Sequence, residues 1–100
     1  MMLWITREEK PGDRATTLRL EGSVGAGWGA LLECECSGLI RDGVAVSLDL
    51  AGVHLVDLSA VETLRRLARD GVEIHCRCGI VADVLEAEGV RITLMPGGGA

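Results

Sequence analysis

The chain has 100 residues, a net charge of −5 and a hydrophobic fraction of 48%, with two Trp and no Phe or Tyr. This length suits one domain with an aliphatic core that needs no disulfide or metal to fold. The acidic balance argues against nucleic acid or an anionic membrane surface as a partner, because both attract basic faces. The sequence also lacks an apolar run of the ~18 residues that a membrane span needs, and its first residues do not predict a signal peptide. We therefore expect a cytoplasmic protein without a membrane-inserted segment, whose cysteines are reduced thiols.

The first half of the chain is predicted to form a hairpin and then a helix. Weak alternation predicts a strand over 2–7, a turn over 10–13 and a second strand over 16–21. A glycine-rich link, Gly22 to Gly29, leads into a helix from about Ala26 to Arg41. The apolar face of that helix consists of Trp28, Leu32, Cys36, Leu39 and Ile40.

The second half is predicted to alternate strands and helices. An apolar run over 44–50 indicates the central strand, and a connection over 51–57 leads to an amphipathic helix that ends before Gly71. The remaining elements are a strand over 72–78, a helix over 80–88 and an edge strand over 90–94.

The predicted order is therefore β-β-α-β-α-β-α-β. It favours a single α/β domain with a mixed sheet of about four to five strands and about three to four helices. We expect this domain to span 1–95, with a flexible glycine-rich tail over 96–100.

The start of the amphipathic helix shows a capping pattern. Ser59 and Glu62 stand three apart, the S-x-x-E spacing in which the serine hydroxyl accepts from a backbone amide and the glutamate reaches back. We therefore expect Ser59 to cap this helix. Its apolar face consists of Val61, Leu64, Leu67 and Ala68, and its outer face of Glu62, Arg65, Arg66 and Arg69.

Three short stretches around this helix start form a pattern. They are Leu48–Val53, Leu55–Val56 and Asp57–Ala60, which read LDLAGV, LV and DLSA. Together with the element order from about Leu18 to Leu94, they resemble STAS domains, the family of bacterial anti-sigma-factor antagonists. The resemblance implies a STAS-like fold and a non-catalytic interaction module that acts in signalling and transcription regulation.

In STAS domains the corresponding loop and helix dock an anti-sigma factor or a similar serine-kinase-like partner. Carried over to this sequence, the resemblance implies a partner-binding surface made of Asp57, Leu58, Ser59, Glu62, Arg65, Arg66 and Arg69. In phospho-switched members the kinase modifies a Ser or Thr directly after the Asp, and Leu58 occupies that position here. Ser59 remains a candidate phosphorylation site, but its modification would remove the expected cap, so we expect constitutive or differently regulated docking. Divergent STAS domains also serve as fixed subunits of lipid-transport complexes, and a homodimer is a further alternative.

A nucleotide-binding domain is the competing class of function. Gly25-x-Gly27-x-x-Ala30 opens a helix, and Asp49 lies about twenty residues on, as in a dinucleotide-binding fingerprint. Against it, several residues separate the strand from Gly25, the bulky Trp28 lies inside the loop, and the chain is too short for two mononucleotide halves. We favour a flexible entry that lets Trp28 fill one end of the core.

Cysteine pairs raise the question of a metal. Cys34 and Cys36 cannot share one metal, because helical residues two apart point ~200° apart. Cys76 and Cys78 share the apolar face of a strand, so we expect these two and Cys36 to be buried as small hydrophobic side chains, with Cys34 more exposed. We predict no metal or cofactor.

No catalytic set is convincing either. Ser59 and Asp57 with His54 or His75 lack the G-x-S-x-G nucleophile elbow, so we predict no catalytic residue and no enzyme. Asp49, in the central strand, needs a partner if it is buried, and a loop amide or a helix N-terminus would supply one.

Overall fold

The computed structural model describes residues 3–77 and 79–95, the side chains of Pro11 and Ala26 excepted. Its elements are β1 (Leu3–Lys10), a 3-10 turn (Pro11–Asp13), β2 (Ala15–Val24), α1 (Ala26–Arg41), β3 (Ala45–Val56), α2 (Leu58–Arg69), β4 (Glu73–Cys76), α3 (Ile80–Ala87) and β5 (Thr93–Leu94). This confirms the predicted order of strands and helices. The predicted tail over 96–100 lies outside the described residues.

The strands form one mixed sheet of five, in the order β1-β2-β3-β4-β5. β1 is antiparallel to β2, as predicted for a hairpin, and the other neighbouring pairs are parallel. β3 is therefore the central strand, again as predicted. Because all parallel crossovers step in the same direction along the sheet, right-handed connections place α1, α2 and α3 on the same face.

The core lies between that face of the sheet and the helices. Alternate strand residues point into it, so Leu18, Leu20, Leu48, Leu50 and Ile74 are fully buried. The helices contribute Leu32, Cys36, Val61, Leu64, Leu67, Ala82 and Leu85 to the same cluster. The core is aliphatic, as the composition predicts, and Trp28 packs against it while staying partly exposed.

The opposite face of the sheet is polar. We call it the polar face and define it by Thr17, Arg19, Ser47, Asp49 and His75. Arg19 Nε lies 3.6 Å from Asp49 Oδ2. Asp49 Oδ1 also accepts from the Ala51 amide at 2.9 Å, so a nearby amide stabilises this carboxylate, as expected.

Two predicted connections are wrong because β2 and β3 are longer than their local patterns indicate. β3 continues to Val56, so residues 51–56 are strand and not a loop. Residues 22–24, assigned to the glycine-rich link, belong to β2 and pair with this extension. The pairing shifts register twice, between Arg19 and Glu21 and between Gly22 and Ser23, and each shift places one extra residue on β3. These bulges interrupt the alternation from which a strand is recognised.

The last two strands are shorter than predicted. β4 covers Glu73–Cys76 instead of 72–78, and β5 is only Thr93–Leu94 instead of 90–94. Residue 78 lies outside the described residues.

Candidate functional site

The tip, defined as Asp57–Ala60, connects the end of β3 to the first turn of α2. It lies at the carboxyl edge of the parallel strands, where open α/β sheets place their binding sites. Asp57 is extended, with φ −94° and ψ 175°, and its Oδ1 accepts from the Ala60 amide at 2.8 Å. The Asp57 amide in turn donates to Val24 O at 3.3 Å. These bonds fix the tip to both β2 and α2.

Asp57 is the N-cap residue of α2, so the predicted cap at Ser59 and its S-x-x-E box are wrong. α2 begins at Leu58, which makes Ser59 the second helical residue. The carbonyl of Ser59 accepts from Thr63 Oγ1 at 3.2 Å, inside the helix. The sequence held a signal for the correct cap, because Asp is as favourable as Ser at this position. Glu62 completes the S-x-x-E spacing with Ser59, and this spacing favoured a helix capped by Ser59 over the observed start at Leu58.

An exposed aliphatic side chain stands at the centre of the tip. Leu58 is 75% exposed in the first turn of α2. Leu55, near the end of β3, and Ile80, at the start of α3, are also exposed large hydrophobic residues. Leu55 lies at the carboxyl end of β3, and Leu58 and Ile80 follow the carboxyl ends of β3 and β4, so all three lie at one edge of the sheet. Leu58 was predicted as a site residue from the sequence, whereas Leu55 and Ile80 were not, because alternation alone does not separate them from core residues.

The outer face of α2 is assembled as predicted, but two of its arginines are held by other elements. Arg66 donates to both carboxylate oxygens of Glu33 on α1, at 2.9 and 3.0 Å, and this hydrogen bonding raises the pKa of Arg66. Arg65 donates to the carbonyl of Glu88 at the end of α3, at 3.2 and 2.8 Å. Glu62 and Arg69 are exposed on the same helix.

The glycine-rich start of α1 lies beside the tip. A Cβ atom built on Gly25 would lie 3.3 Å from Asp57 Oδ2. Gly25 is the N-cap residue of α1 and supplies no side chain to its amides. The Asp57 carboxylate therefore stands near the positive ends of two helices. Gly27 is exposed, with nothing within 4 Å of an added Cβ.

The structure does not bring Asp49 together with Gly25 and Gly27. Asp49 is on the polar face, where it binds Arg19 and the Ala51 amide. The helix that carries the glycines covers the other face of the sheet. In a dinucleotide site the acidic residue and the glycine loop contact one ligand, and here the sheet separates them.

The cysteines are distributed as expected where they are described. Cys36 and Cys76 are buried, Cys34 is exposed, and Cys78 lies outside the described residues. Burial, followed by the nearby Glu35 carboxylate, raises the pKa of the Cys36 thiol to about 11. Among residues 3–77 and 79–95, no group of three or more His, Cys, Asp or Glu side chains is arranged to hold a metal ion.

In the described part of the chain, no helix combines the length and the apolar character required to cross a bilayer.

Comparison with known proteins gives matches in structure but not in sequence. No protein-family model matches the chain, and no curated protein matches it. An anti-sigma factor antagonist from Mycobacterium paratuberculosis is similar with a TM-score of 0.78 at 15% identity, over 97% of this chain and 88% of that chain. The Bacillus cell fate determinant SpoIIAA in its phosphorylated form is similar with a TM-score of 0.69 at 13% identity, over 94% of this chain and 93% of that chain.

A third structure carries the family name that the sequence pattern suggested. This antisigma-factor antagonist, a STAS domain from Rhodobacter sphaeroides, is similar with a TM-score of 0.51 at 20% identity, over 93% of this chain and 96% of that chain. The chain therefore has a STAS-like, SpoIIAA-like fold, which confirms the predicted fold class.

Proposed function

We propose that the chain is a non-catalytic regulatory module that docks a protein partner in the manner of an anti-sigma-factor antagonist. The observation that carries this proposal is Leu58, 75% exposed on a tip that is fixed by hydrogen bonds to β2 and α2. Because the backbone of the tip is already held in place, docking would cost little backbone ordering, and burial of the exposed Leu58 side chain would be favourable. The fold supports the same conclusion, because the similar structures are described as anti-sigma-factor antagonists.

The proposed docking surface has an apolar centre and a polar rim. Leu58 forms the centre, and Asp57, Ser59 and Glu62 are exposed beside it or one turn further along α2. The arginines Arg65, Arg66 and Arg69 extend the surface toward the other end of the helix. Arg65 and Arg66 are already hydrogen-bonded, so they would contribute shape and fixed positive charge more than new hydrogen bonds.

Regulation through Ser59 is more compatible with the structure than the sequence suggested. A phosphate on Ser59 would not remove the cap, because Asp57 supplies it. Ser59 is exposed in the first turn of α2, where the helix N-terminus favours negative charge, although the Asp57 carboxylate opposes it. Ser59 therefore stays a candidate phosphorylation site. Leu58 occupies the position, directly after the Asp, where phospho-switched STAS domains carry the modified Ser or Thr.

Two partner classes fit this proposal: an anti-sigma factor of the serine-kinase type, or a subunit of a transport complex. Both are proteins, and both would use the same edge. The cytoplasmic location and the homodimer remain predictions from the sequence.

The test is a pull-down from the native cell extract with the wild-type chain and Leu58→Glu as baits. We expect Leu58→Glu to lose the partner, because it places a charge in the apolar centre and leaves the Asp57 cap intact. Leu31→Glu is the matched control, since Leu31 is 43% exposed on α1, where it lines a groove with residues of β1 and none of the tip. Identification of the retained protein by mass spectrometry separates the two partner classes. Equal recovery by Leu58→Glu and wild type would contradict docking at the tip.

The competing nucleotide prediction has its own test, a thermal-shift screen with nucleotides. The separation of Asp49 from Gly25 and Gly27, and the Asp57 carboxylate beside Gly25, argue against it. Stabilisation by a dinucleotide that disappears in Gly27→Val would favour it over docking. That variant is suitable because nothing lies within 4 Å of an added Cβ at Gly27.

A further inference from the structure

A second polar site lies at the end of α2 opposite the tip. Arg65, Ala68, Arg69, Gly89 and Arg91 line an open groove of about 380 Å³, which we call the arginine groove. It lies between the last turns of α2 and the segment that follows α3. The small residues Ala68 and Gly89 leave room between the guanidinium groups. A volume of this size is at the lower end of the range for small-molecule sites.

Two of the groove's guanidinium groups are not neutralised by the protein. Arg69 and Arg91 are exposed and make no hydrogen bond or ion pair with any residue in 3–77 or 79–95. By contrast, Arg7, Arg19 and Arg66 each pair with a glutamate. Unneutralised positive charge concentrated in one groove is unexpected in a chain with a net charge of −5. It provides a local attraction for an anion.

The third guanidinium group is held in place. Arg65 donates through Nε and Nη2 to Glu88 O, at 3.2 and 2.8 Å, which fixes the plane of its guanidinium group at the groove wall. Glu88 Oε1 lies 3.5 Å from Arg65 Nη2, and Glu86 lines an adjoining groove with Gly89 and Arg91, so these two carboxylates oppose an incoming anion. Among the described residues that line the groove itself, three are arginines and none is acidic, so its wall is positive.

We propose that the arginine groove binds the phosphate of a small phosphorylated molecule. Guanidinium groups match the geometry of phosphate oxygens and donate to two of them at once. This site does not depend on the docking function proposed for the tip.

Pyrophosphate is the probe for this site. Amide chemical shifts of the isotope-labelled chain are followed while pyrophosphate is added at constant ionic strength, with chloride as the matched salt. We expect saturable shifts at Ala68, Arg69, Gly89 and Arg91. Shifts that stay linear, or that saturate only around other residues such as Gly25, would overturn the proposal.

Charge-neutral variants locate the binding. Arg69→Gln and Arg91→Gln should fold normally, because both side chains are exposed and unpaired, and each should weaken binding about tenfold. Arg41→Gln, at the exposed end of α1, is the control and should bind like wild type. An equal loss in Arg41→Gln would show that net charge alone is responsible and would refute the groove. Leu58→Glu should bind pyrophosphate normally, so a failure of partner docking is distinguishable from a failure of this site.

Discussion

Asp57 uses its two carboxylate oxygens in different directions. Oδ1 accepts from the Ala60 amide and caps α2, while Oδ2 is directed toward Gly25 at the start of α1. Both helices have unpaired amides in their first turns, and both dipoles favour a negative charge there. The tip is thus stabilised by a side chain that is itself exposed and available to a partner.

We expect Asp57→Ala to lower the free energy of unfolding by about 1 kcal/mol, the usual effect of removing a cap. Asp57→Asn keeps an acceptor oxygen and should lose less. Ser59→Ala should change stability by less than about 0.5 kcal/mol, since its hydroxyl does not cap the helix. Urea denaturation measures all three variants. A larger loss of stability in Ser59→Ala than in Asp57→Ala would contradict this assignment and support Ser59 as the cap, as predicted from the sequence.

The Cys36 thiol makes stability depend on pH. Its folded-state pKa is raised from 9.0 to about 11, chiefly by burial, so the folded protein holds this proton more tightly than the unfolded chain. The associated stabilisation is complete below pH 9 and is lost as the pH rises toward 11. We expect the free energy of unfolding to fall across this range. Cys36→Ala lacks the thiol and should show a shallower decrease; identical slopes for the two proteins would contradict the assignment.

At the level of residues, the sequence predicted the members of the tip but not their roles. Leu58, Ser59 and Asp57 could be selected because they occupy matching positions in a recognised pattern. Asp57 and Ser59 are both chemically suitable as caps. Which of them caps α2 depends on the residue at which helical backbone angles begin, and the sequence does not show this. The pairing of Arg66 with Glu33 depends on the packing of α1 against α2, which no local spacing displays.

α1 and α2 approach each other closely where a glycine faces a threonine. Gly29 is buried, and a Cβ atom there would lie 2.8 Å from Thr63 Oγ1. Thr63 is itself buried and donates to Ser59 O in the first turn of α2. The contact between the helices therefore also supports the tip.

We expect Gly29→Ala to destabilise the protein by about 1–3 kcal/mol, because the added methyl group must displace Thr63. Gly38→Ala is the control in the same helix. Nothing lies within 4 Å of a Cβ at Gly38, so alanine there should stabilise the protein by about 0.5–1 kcal/mol. Thermal unfolding of both variants tests this pair. In the double variant Gly29→Ala with Thr63→Ala, the two costs should not add; full additivity would argue against the contact.

At the level of elements, helices were predicted more accurately than strands. α1 was predicted with its observed bounds because its apolar face recurs every three to four residues and Gly43 follows it. β3 was cut short because Gly52 and the two register shifts interrupt its pattern. A Cβ at Gly52 would lie 2.7 Å from Glu21 Cγ, so this glycine permits close approach within a strand and does not mark a loop.

The strands of the sheet differ in how many pairing partners and buried side chains hold them in place. β3 pairs with β2 and β4 and buries Val46, Leu48 and Leu50, whereas β5 contributes only Thr93 and Leu94, both exposed. Local opening requires little energy where few contacts are lost.

We expect hydrogen exchange to follow this inequality. The amides of Leu48 and Leu50 should exchange only through global unfolding, so their rates should report the full free energy of unfolding. The backbone of Thr93 and Leu94 should exchange orders of magnitude faster through local opening. Native-state exchange measured by NMR at increasing urea separates the two classes. Equal protection of β3 and β5 would contradict the description of β5 as a weakly held edge.

At the scale of the molecule, the sequence predicted the topology because each element has a local signature and right-handed crossovers leave few arrangements. It did not predict that all three helices share one face, nor that the tip and the start of α1 meet. Both are consequences of strand order, which becomes known only when distant segments pair.

The placement of the two tryptophans gives this protein an intrinsic optical reporter. Trp28 lies in the first turn of α1, three residues after Gly25, the glycine that faces Asp57, and its ring is only partly shielded by the core. Trp4 is 63% exposed on the polar face, on the far side of the sheet from the helices. In Trp4→Phe the remaining indole would emit from the first turn of α1, the helix whose N-cap residue Gly25 faces Asp57 of the tip. Occupancy of that edge could then be read as a change in emission, without any attached dye.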